Sequence, residues 1–193
     1  IQQLVKLAIS EFVQSEFYLT LDADIFITPS VIGVILEDPL RGPVHLESRS
    51  THEEWWRASA DLLQSRALQT EKVMGVTPEF LSREISLALL TRLRFVAKQS
   101  GFADWAELLM GRTSNSDYTW TEYSLYWTFS ENNGFSESKH KGTHLYSFCH
   151  SKHEAIKALK AERPSPFVVV QSSFVGDDDF DSVCHVYNER FQG

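Results

Sequence analysis

The sequence predicts a single, soluble domain of the mixed α/β class, and three observations carry this prediction. Segments with apolar residues at helical spacing alternate with short apolar runs of β-forming residues. The chain has 193 residues, of which 42% are apolar and 23% charged, as in ordinary folded domains. Aromatic residues make up 12% of the chain, which favours a well-packed core.

Seven segments predict helices, because apolar residues recur at helical spacing or because a cap and a proline open them. Two begin with Thr-Pro, at Thr28 and Thr77, where threonine caps the helix and proline fits its first turn. Gly101 ends another. The predicted helices cover residues 2–15, 28–36, 52–68, 77–98, 103–110, 121–134 and 152–161.

Four short runs predict strands. The first is apolar and β-rich throughout, as expected of a strand buried on both faces. The intervening segments 38–43, 132–134 and 139–142 read as turns or polar loops, and the tail around residues 177–179 shows no clear structure. The predicted strands cover residues 17–21, 44–46, 144–148 and 167–170.

The charge balance argues against nucleic acid as the main partner. The net charge is −8, with 18 basic against 26 acidic residues, whereas a duplex binder needs clustered Lys and Arg to displace counterions. The longest apolar runs, such as residues 31–36, fall far short of the roughly 20 residues that span a bilayer. We therefore expect neither a nucleic-acid partner nor a transmembrane segment.

Two features indicate a reducing, cytoplasmic location. The first residues lack the basic-then-apolar pattern of a secretory signal. Cys149 and Cys184 have neither the spacing of a metal site nor the pattern of a disulfide scaffold.

An acidic pair, Asp22 and Asp24, directly follows the first predicted strand. Ligands of open α/β sheets bind beyond the carboxyl ends of strands, where this pair is expected to lie. Two carboxylates one residue apart can hold a hard divalent cation, and such a cation neutralises a diphosphate leaving group. The alternative is that the aspartates cap the next helix or solvate a turn. The buried strand before them and Ile25-Phe26 after them favour the metal-diphosphate site.

The segments from Gln2 to Leu7 and from Tyr18 to Phe26 resemble the helix, strand and DxD unit of GT-A type glycosyltransferases. They are especially similar to a bacterial and viral glycosyltransferase-like family. That family also has a Gly-Val-Thr segment, a tryptophan helix and an S/T-E-Y-x-x-Y motif, and all occur here in order, so that the resemblance covers residues 2–127. The matching segments are Gly75-Val76-Thr77-Pro78, Trp105-Ala106-Glu107-Leu108-Leu109 and Thr121-Glu122-Tyr123-Ser124-Leu125-Tyr126.

The resemblance implies a Rossmann-like, three-layer sandwich and a metal-dependent sugar transfer. The donor would be a UDP- or GDP-sugar, the acceptor a hydroxyl of a glycan or another molecule, and the cofactor Mn²⁺ or Mg²⁺. In GT-A enzymes a first β-α-β portion, which holds most of the nucleoside, precedes the helix at which this chain begins. We therefore expect a preceding segment or another polypeptide to complete the donor pocket.

The resemblance also implies roles for individual residues. Asp22-Ala23-Asp24 would bind the donor diphosphate and the metal, Gly75-Val76-Thr77 would approach the donor sugar, and Glu122 would be the general base that takes the acceptor proton. The alternatives are a simple turn at Gly75 and, for Glu122, a favourable acidic charge in a first helical turn.

Two histidines are further metal candidates. Many metal-dependent GT-A enzymes add a late histidine to the metal, and His144 and His150 flank the predicted strand that follows the Glu122 helix. An ordinary surface or core position is the alternative for both. The run from Asp177 to Asp179 could also chelate a cation, although an acidic loop run is usually a solvated face.

Two other functions compete with the glycosyltransferase. In a haloacid-dehalogenase-type phosphatase one aspartate of such a pair is the nucleophile and the next an acid-base, but no convincing downstream lysine and acidic pair follow here. A non-catalytic binding or assembly domain could keep the fold without the activity. The sequence favours the glycosyltransferase over both.

Overall fold

The computed structural model describes residues 1–113, 120–171 and 176–192, without the side chains of residues 112, 113, 177 and 178. Helices and strands are interspersed along this described part, which confirms the mixed α/β class. The helices are α1 (Gln2–Ala8), α2 (Ser30–Glu37), α3 (Glu53–Leu62), α4 (Arg83–Gln99), α5 (Trp105–Thr113), α6 (Glu122–Asn132), α7 (Ser136–Lys139), α8 (Lys152–Lys160) and α9 (Asp177–Phe191). The strands are β1 (Phe17–Thr20), β2 (Ile25–Ile27), β3 (Gly42–Val44), β4 (Leu46–Ser48), β5 (Lys72–Met74), β6 (Glu79–Ser82), β7 (His140–Gly142), β8 (Tyr146–Cys149) and β9 (Phe167–Val170).

The strands of the described residues form four small sheets. The largest holds three strands, with β9 in the centre, antiparallel to β2 and parallel to β8. The other three are the pairs β1–β6 and β4–β5, both antiparallel, and the parallel pair β3–β7. Phe17 lies opposite Ser82 and Ile25 opposite Val169, so the sheets join segments that are far apart in the sequence. The three-layer arrangement stays a prediction.

The first strand is not buried on both faces as predicted. In β1, Tyr18 and Thr20 are buried, whereas Phe17 and Leu19 are only partly covered. The strand pairs antiparallel with β6, and such pairs commonly place one face on the core and leave the other more open. The apolar residues at 17, 19 and 21 therefore do not indicate a second fully covered face.

The Thr77-Pro78 dipeptide does not open a helix, and that prediction is wrong. Its peptide bond is cis, and the chain continues as strand β6. Phe80 and Leu81 are buried in this strand, whose backbone pairs with β1. Helix α4 starts only at Arg83. Here sheet pairing and burial of β6 outweigh the local helix-start signal.

The tail, for which no clear structure was predicted, forms the 15-residue helix α9. Its apolar side chains Phe180, Val183, Tyr187 and Phe191 recur at helical spacing and join the cluster built on α8 and β9. The three aspartates at its start hide this stripe from a reading of the sequence, although acidic residues suit a first helical turn.

Other boundaries also differ from the predicted ones. The first helix ends at Ala8 and continues only as a 3-10 turn over Ile9–Glu11, and α3 ends at Leu62 rather than near residue 68. The predicted polar loop at 139–142 contributes strand β7, because its backbone pairs with β3. None of the described helices is long and apolar enough to cross a lipid bilayer.

The main core lies between α4 and α6 and extends to α1, α3 and α5. Helix α4 contributes an apolar stripe that includes Ile85, Leu89 and Leu93, each without exposed surface. Helix α6 is buried along most of its length, so its position is fixed from several sides. This burial makes α6 a rigid support for the side chains at its two ends.

A buried tyrosine and histidine join α6 to the strands. The Tyr126 hydroxyl accepts the backbone N–H of Ser82 at 2.8 Å and lies 2.7 Å from Nε2 of His140. The hydroxyl therefore donates its own hydrogen to Nε2, which leaves Nδ1–H to donate to the Gly42 carbonyl at 3.3 Å. Burial lowers the pKa of His140 from 6.5 to about 4, so the ring stays neutral in the folded chain.

We expect His140 to make the fold sensitive to acid. Between pH 6.5 and about 4 the unfolded chain takes up a proton that the folded chain excludes, so the free energy of unfolding should fall by about 3 kcal/mol over this window. Urea titrations at several pH values would compare wild type with His140→Gln. The destabilisation caused by the substitution should shrink as the pH falls, and a pH-independent difference would contradict the prediction.

Two glycines in open space should respond oppositely to alanine. A Cβ on Gly33, inside α2, or on Gly101, after α4, would meet nothing within 4 Å, but Gly101 has φ +79°. Gly33→Ala should raise the free energy of unfolding by about 0.5–1 kcal/mol, because glycine weakens a helix interior. Gly101→Ala should lower it by about 1 kcal/mol, because the left-handed region disfavours a Cβ. Changes of the same sign in thermal or urea unfolding would refute this account.

Candidate functional site

Four of the residues predicted from sequence line one cavity of about 180 Å³: Asp22, Val76, Thr77 and Glu122. Helix α1 forms one side, the loop after β1 another, and the start of α6 a third. The remaining lining residues are Gln2, Gln3, Lys6, Thr121 and Tyr123. The structure thus brings together side chains that lie as far apart in sequence as positions 2 and 123.

Lys6 is the centre of this cavity's polar contacts. Its Nζ lies 2.8 Å from Oδ1 of Asp22, 2.8 Å from Oε1 of Glu122 and 3.2 Å from the Tyr123 hydroxyl. An ammonium group has three N–H donors, so these three acceptors use all of them. Lys6 therefore bridges the two predicted carboxylates and has no N–H left for a ligand in this arrangement.

The groups around Lys6 stabilise its charged form, although burial alone would disfavour that form. Burial by itself would lower the lysine pKa, but Tyr123, Glu122 and Asp22 outweigh it, and the net pKa lies above the ordinary value. The Tyr18 hydroxyl also donates to the Lys6 carbonyl at 3.1 Å, which fixes the backbone of α1 at this point. Lys6 is thus a permanent, positioned cation.

Glu122 is placed by the capped start of α6. Thr121 and Ser124 form a reciprocal capping box, in which Thr121 Oγ1 accepts from the Ser124 N–H at 3.0 Å and Ser124 Oγ accepts from the Thr121 N–H at 2.8 Å. Glu122 is the first helical residue and is only 3% exposed. Its carboxyl group lies at the helix start and pairs with Lys6 at 2.8 Å.

Tyr123 connects the start of α6 to β1. Its hydroxyl lies 3.0 Å from Oγ1 of Thr20, a hydroxyl that also donates to the Glu79 carbonyl at 3.1 Å. Burial, and then the Glu122 charge, raise the pKa of Tyr123 to about 12. The phenol therefore stays neutral and donates its hydrogen to Thr20, because the Thr20 hydroxyl uses its own hydrogen on the Glu79 carbonyl.

The two aspartates of the acidic pair have different surroundings. Asp22 lines the cavity, and its Oδ1 accepts from Lys6 and from Nε2 of Gln2, the latter at 2.6 Å. Asp24 is half-buried outside the lining, and its carbonyl accepts the Val170 N–H at 3.0 Å. Ala23 between them is exposed. The pair thus spans from the cavity to the sheet built on β9.

Gly75 lies behind the cavity wall, not in it. A Cβ at this position would come within 3.1 Å of the Tyr146 hydroxyl, 3.2 Å of the His45 ring and 3.5 Å of Oε1 of Glu79. Only glycine leaves room for this approach. Gly75 therefore lets Val76 and Thr77 reach the cavity while its own backbone packs against a second set of polar side chains.

Glu79 is the buried member of that set. It has no exposed surface, and its Oε2 accepts the His45 N–H at 3.3 Å. Burial raises the pKa of Glu79 well above its ordinary value, because the charged form is poorly solvated there. Sequence reasoning missed Glu79 because it was assigned to a helix start, where an exposed acidic residue is common.

The predicted histidines stand apart from the acidic pair. His144 contacts the His45 ring and lies 3.5 Å from the Ser165 hydroxyl, and His150 packs against Phe148. Within residues 1–113, 120–171 and 176–192, no three His, Cys, Asp or Glu side chains form a group that could hold a metal ion. The set of Asp22, Asp24, His144 and His150 is therefore not assembled as one ligand cluster.

Two carboxylates nevertheless suit one kind of cation site. Mg²⁺ is commonly bound through one or two carboxylates, with waters and substrate phosphates in the other positions. Asp22 and Asp24 match that donor chemistry. Of the acidic run in α9, only Asp179 has a described side chain, which pairs with Lys152 at 3.1 Å; the side chains of Asp177 and Asp178 lie outside the described set.

Lys6 and Gln2 are site residues that sequence reasoning did not select. A signal for them exists: Gln2 and Lys6 are four positions apart in α1, so they share one face of the helix. A lysine on the inward face of a helix usually needs a buried acidic partner. That pattern alone does not say which carboxylates it meets.

The fold and the cavity describe a mixed α/β protein with a lysine-bridged pair of carboxylates at the start of a buried helix. Residues 1–175 match the model of a family of unknown function, DUF6492, and the chain belongs to this family. No curated protein matches the chain.

We expect removal of the Lys6 charge to destabilise the fold. Lys6→Met leaves Glu122 as a buried carboxylate without its cation, and breaking a buried pair in this way typically costs about 3–5 kcal/mol. Glu122→Gln added to Lys6→Met should restore part of the loss, as measured by urea unfolding. Lys152→Met is the control: it removes an exposed pair and should cost at most about 1 kcal/mol. Equal costs at both lysines would contradict the proposed role of burial.

Proposed function

We propose that this protein is a GT-A-like glycosyltransferase that transfers a sugar from a nucleotide-diphosphate donor to an acceptor hydroxyl. The observation that carries the proposal is the cavity itself. Asp22, Val76, Thr77 and Glu122 were selected from separate motifs, and they line the same 180 Å³ space. A chance set of surface residues would be expected to scatter over the molecule.

The charge of the cavity bears on the donor. Among the described residues, its lining holds one cation, Lys6, and two carboxylates, Asp22 and Glu122, a net charge of −1 when all are ionised. Lys6 already donates to both carboxylates. An anionic diphosphate would therefore be repelled unless it arrives with a cation. This supports Mn²⁺ or Mg²⁺ as cofactor, with Asp22 and Asp24 as its protein ligands.

The chemistry divides between the cation and the residues of the chain. A bound divalent cation would neutralise the charge that develops on the diphosphate leaving group. Glu122 would accept the proton of the acceptor hydroxyl as general base, since its carboxyl group lines the cavity and is positioned by Lys6. Val76 and Thr77 would form the wall against the donor sugar.

The size of the cavity supports a second candidate, a non-catalytic binding domain. Small-molecule sites usually enclose roughly 300–1,000 Å³, more than the 180 Å³ found here. This volume suits a sugar or a diphosphate but not a whole nucleotide-sugar. A preceding segment or a second polypeptide would then supply the nucleoside pocket, or the cavity would bind a neutral sugar without transferring it.

Calorimetric titration of UDP and GDP, with and without Mn²⁺, would test the proposal. We expect metal-dependent binding that is lost in Asp24→Ala and in Asp22→Asn but kept in Asp61→Asn, an exposed aspartate outside the cavity. Glu122→Gln should still bind the nucleotide, while sugar transfer falls by about 10²–10⁴-fold.

Four other results would each overturn part of the proposal. Nucleotide binding that ignores both aspartates would remove the metal-diphosphate site. Binding without any sugar release would favour the non-catalytic domain, and phosphate release in place of sugar release would favour a phosphatase. No binding to this chain or to a form extended at its start would refute the donor assignment.

A further inference from the structure

We propose that a second cavity, at the C-terminal end of α6, binds a small organic oxyanion that carries an aromatic or other apolar group. This cavity has a volume of about 380 Å³, within the usual range of small-molecule sites. It is separate from the proposed donor site, because that site uses Glu122 and this cavity uses Asn132. Ten residues of helix place them about 15 Å apart.

The lining of the cavity is basic in an acidic protein. Of the side chains that the structure describes, Arg66 and Arg92 are the charged ones that line it, and none of its described lining residues is acidic, whereas the chain as a whole has a net charge of −8. Guanidinium groups stay charged and match the planar geometry of carboxylate and phosphate oxygens. The positive charge of this cavity therefore favours anions, although the net charge of the chain is negative.

Arg92 is held rigidly and still has donors available. Its Nε and Nη2 donate to the Leu63 carbonyl at 2.9 and 2.7 Å, and Nη2 also reaches the Gln64 carbonyl at 3.3 Å. These carbonyls belong to the turn that ends α3, where Gln64 has φ +49°. Nη1 makes no hydrogen bond within the described part of the chain. Two N–H groups of a fixed guanidinium thus remain for a ligand.

Arg66 follows the same turn in the sequence and also lines the cavity. Nδ2 of Asn132 donates to the Arg66 carbonyl at 3.0 Å, which ties this backbone to α6. The Arg66 guanidinium is exposed and forms no ion pair or hydrogen bond with any described residue. Its position is therefore set by the backbone, while its charged group is free to bind a ligand.

The rest of the lining indicates the other half of the ligand. Phe129 contributes apolar surface, whereas Leu63 is only 1% exposed, and Ser65 and Asn133 contribute polar groups. A bare inorganic anion would leave the apolar surface uncovered, and a neutral hydrocarbon would leave the guanidinium charges unmatched. A ligand with an oxyanion at one end and an apolar group at the other satisfies both parts.

Four probes separate these contributions: phenyl phosphate, benzoate, phenol and inorganic phosphate. Titrations followed by calorimetry would be done in EDTA without nucleotide, so that the metal-dependent donor site does not contribute. We expect saturable binding of phenyl phosphate or benzoate at least tenfold tighter than binding of phenol and inorganic phosphate. Whichever of the two binds more tightly identifies the oxyanion.

Substitution of a lining residue tests whether the ligand binds in this cavity. Arg66→Gln alters an exposed side chain and should weaken binding at least tenfold without changing the thermal unfolding midpoint. Arg163→Gln is the matched control: this exposed arginine is outside the cavity, and its substitution should have no effect. Equal binding of phenol and phenyl phosphate, equal losses at Arg66 and Arg163, or no saturable binding would overturn the proposal. These results are independent of the glycosyltransferase assignment.

Discussion

The three contacts of Lys6 are the interaction on which the candidate site depends. One ammonium group holds the carboxylates of Asp22 and Glu122 together and also contacts the Tyr123 hydroxyl. Without that charge, two acidic groups would face each other in a partly buried space, which is electrostatically unfavourable. The same contact fixes α1, the loop after β1 and the start of α6 relative to one another. One side chain therefore joins these three segments and also balances the charge of the site.

The wall of this site has a polar layer behind it. Gly75 lies next to the buried side chain of Glu79, which accepts the His45 N–H. The Thr20 hydroxyl, which donates to the Glu79 carbonyl, lies within hydrogen-bonding distance of Tyr123. Polar groups on both sides of the 75–77 segment are thus linked through hydrogen bonds, and such networks hold a geometry more firmly than single contacts.

The site residues that could be predicted from the sequence are those marked by their immediate neighbours in the chain. Asp22 follows a strand, and Glu122 follows a capping threonine; both lie where such signals predict. Lys6 and Glu79 were missed because their roles come from partners far along the chain. The same limit explains the strand at Thr77-Pro78: pairing with β1 outweighs the local helix signal. The helix α9 was hidden for a different reason, since its opening aspartates obscure the apolar stripe that follows.

The acidic loop connects two parts of the core. Tyr18 before it packs in the cluster around α4 and α6, whereas Phe26 after it packs in the cluster around α8 and α9. Ile25 pairs with Val169, near the other end of the chain. Closing so long a loop is entropically costly, and contacts of this separation generally form late in folding. The backbone at and after Asp24 is therefore held in place by β9, a strand from near the other end of the chain.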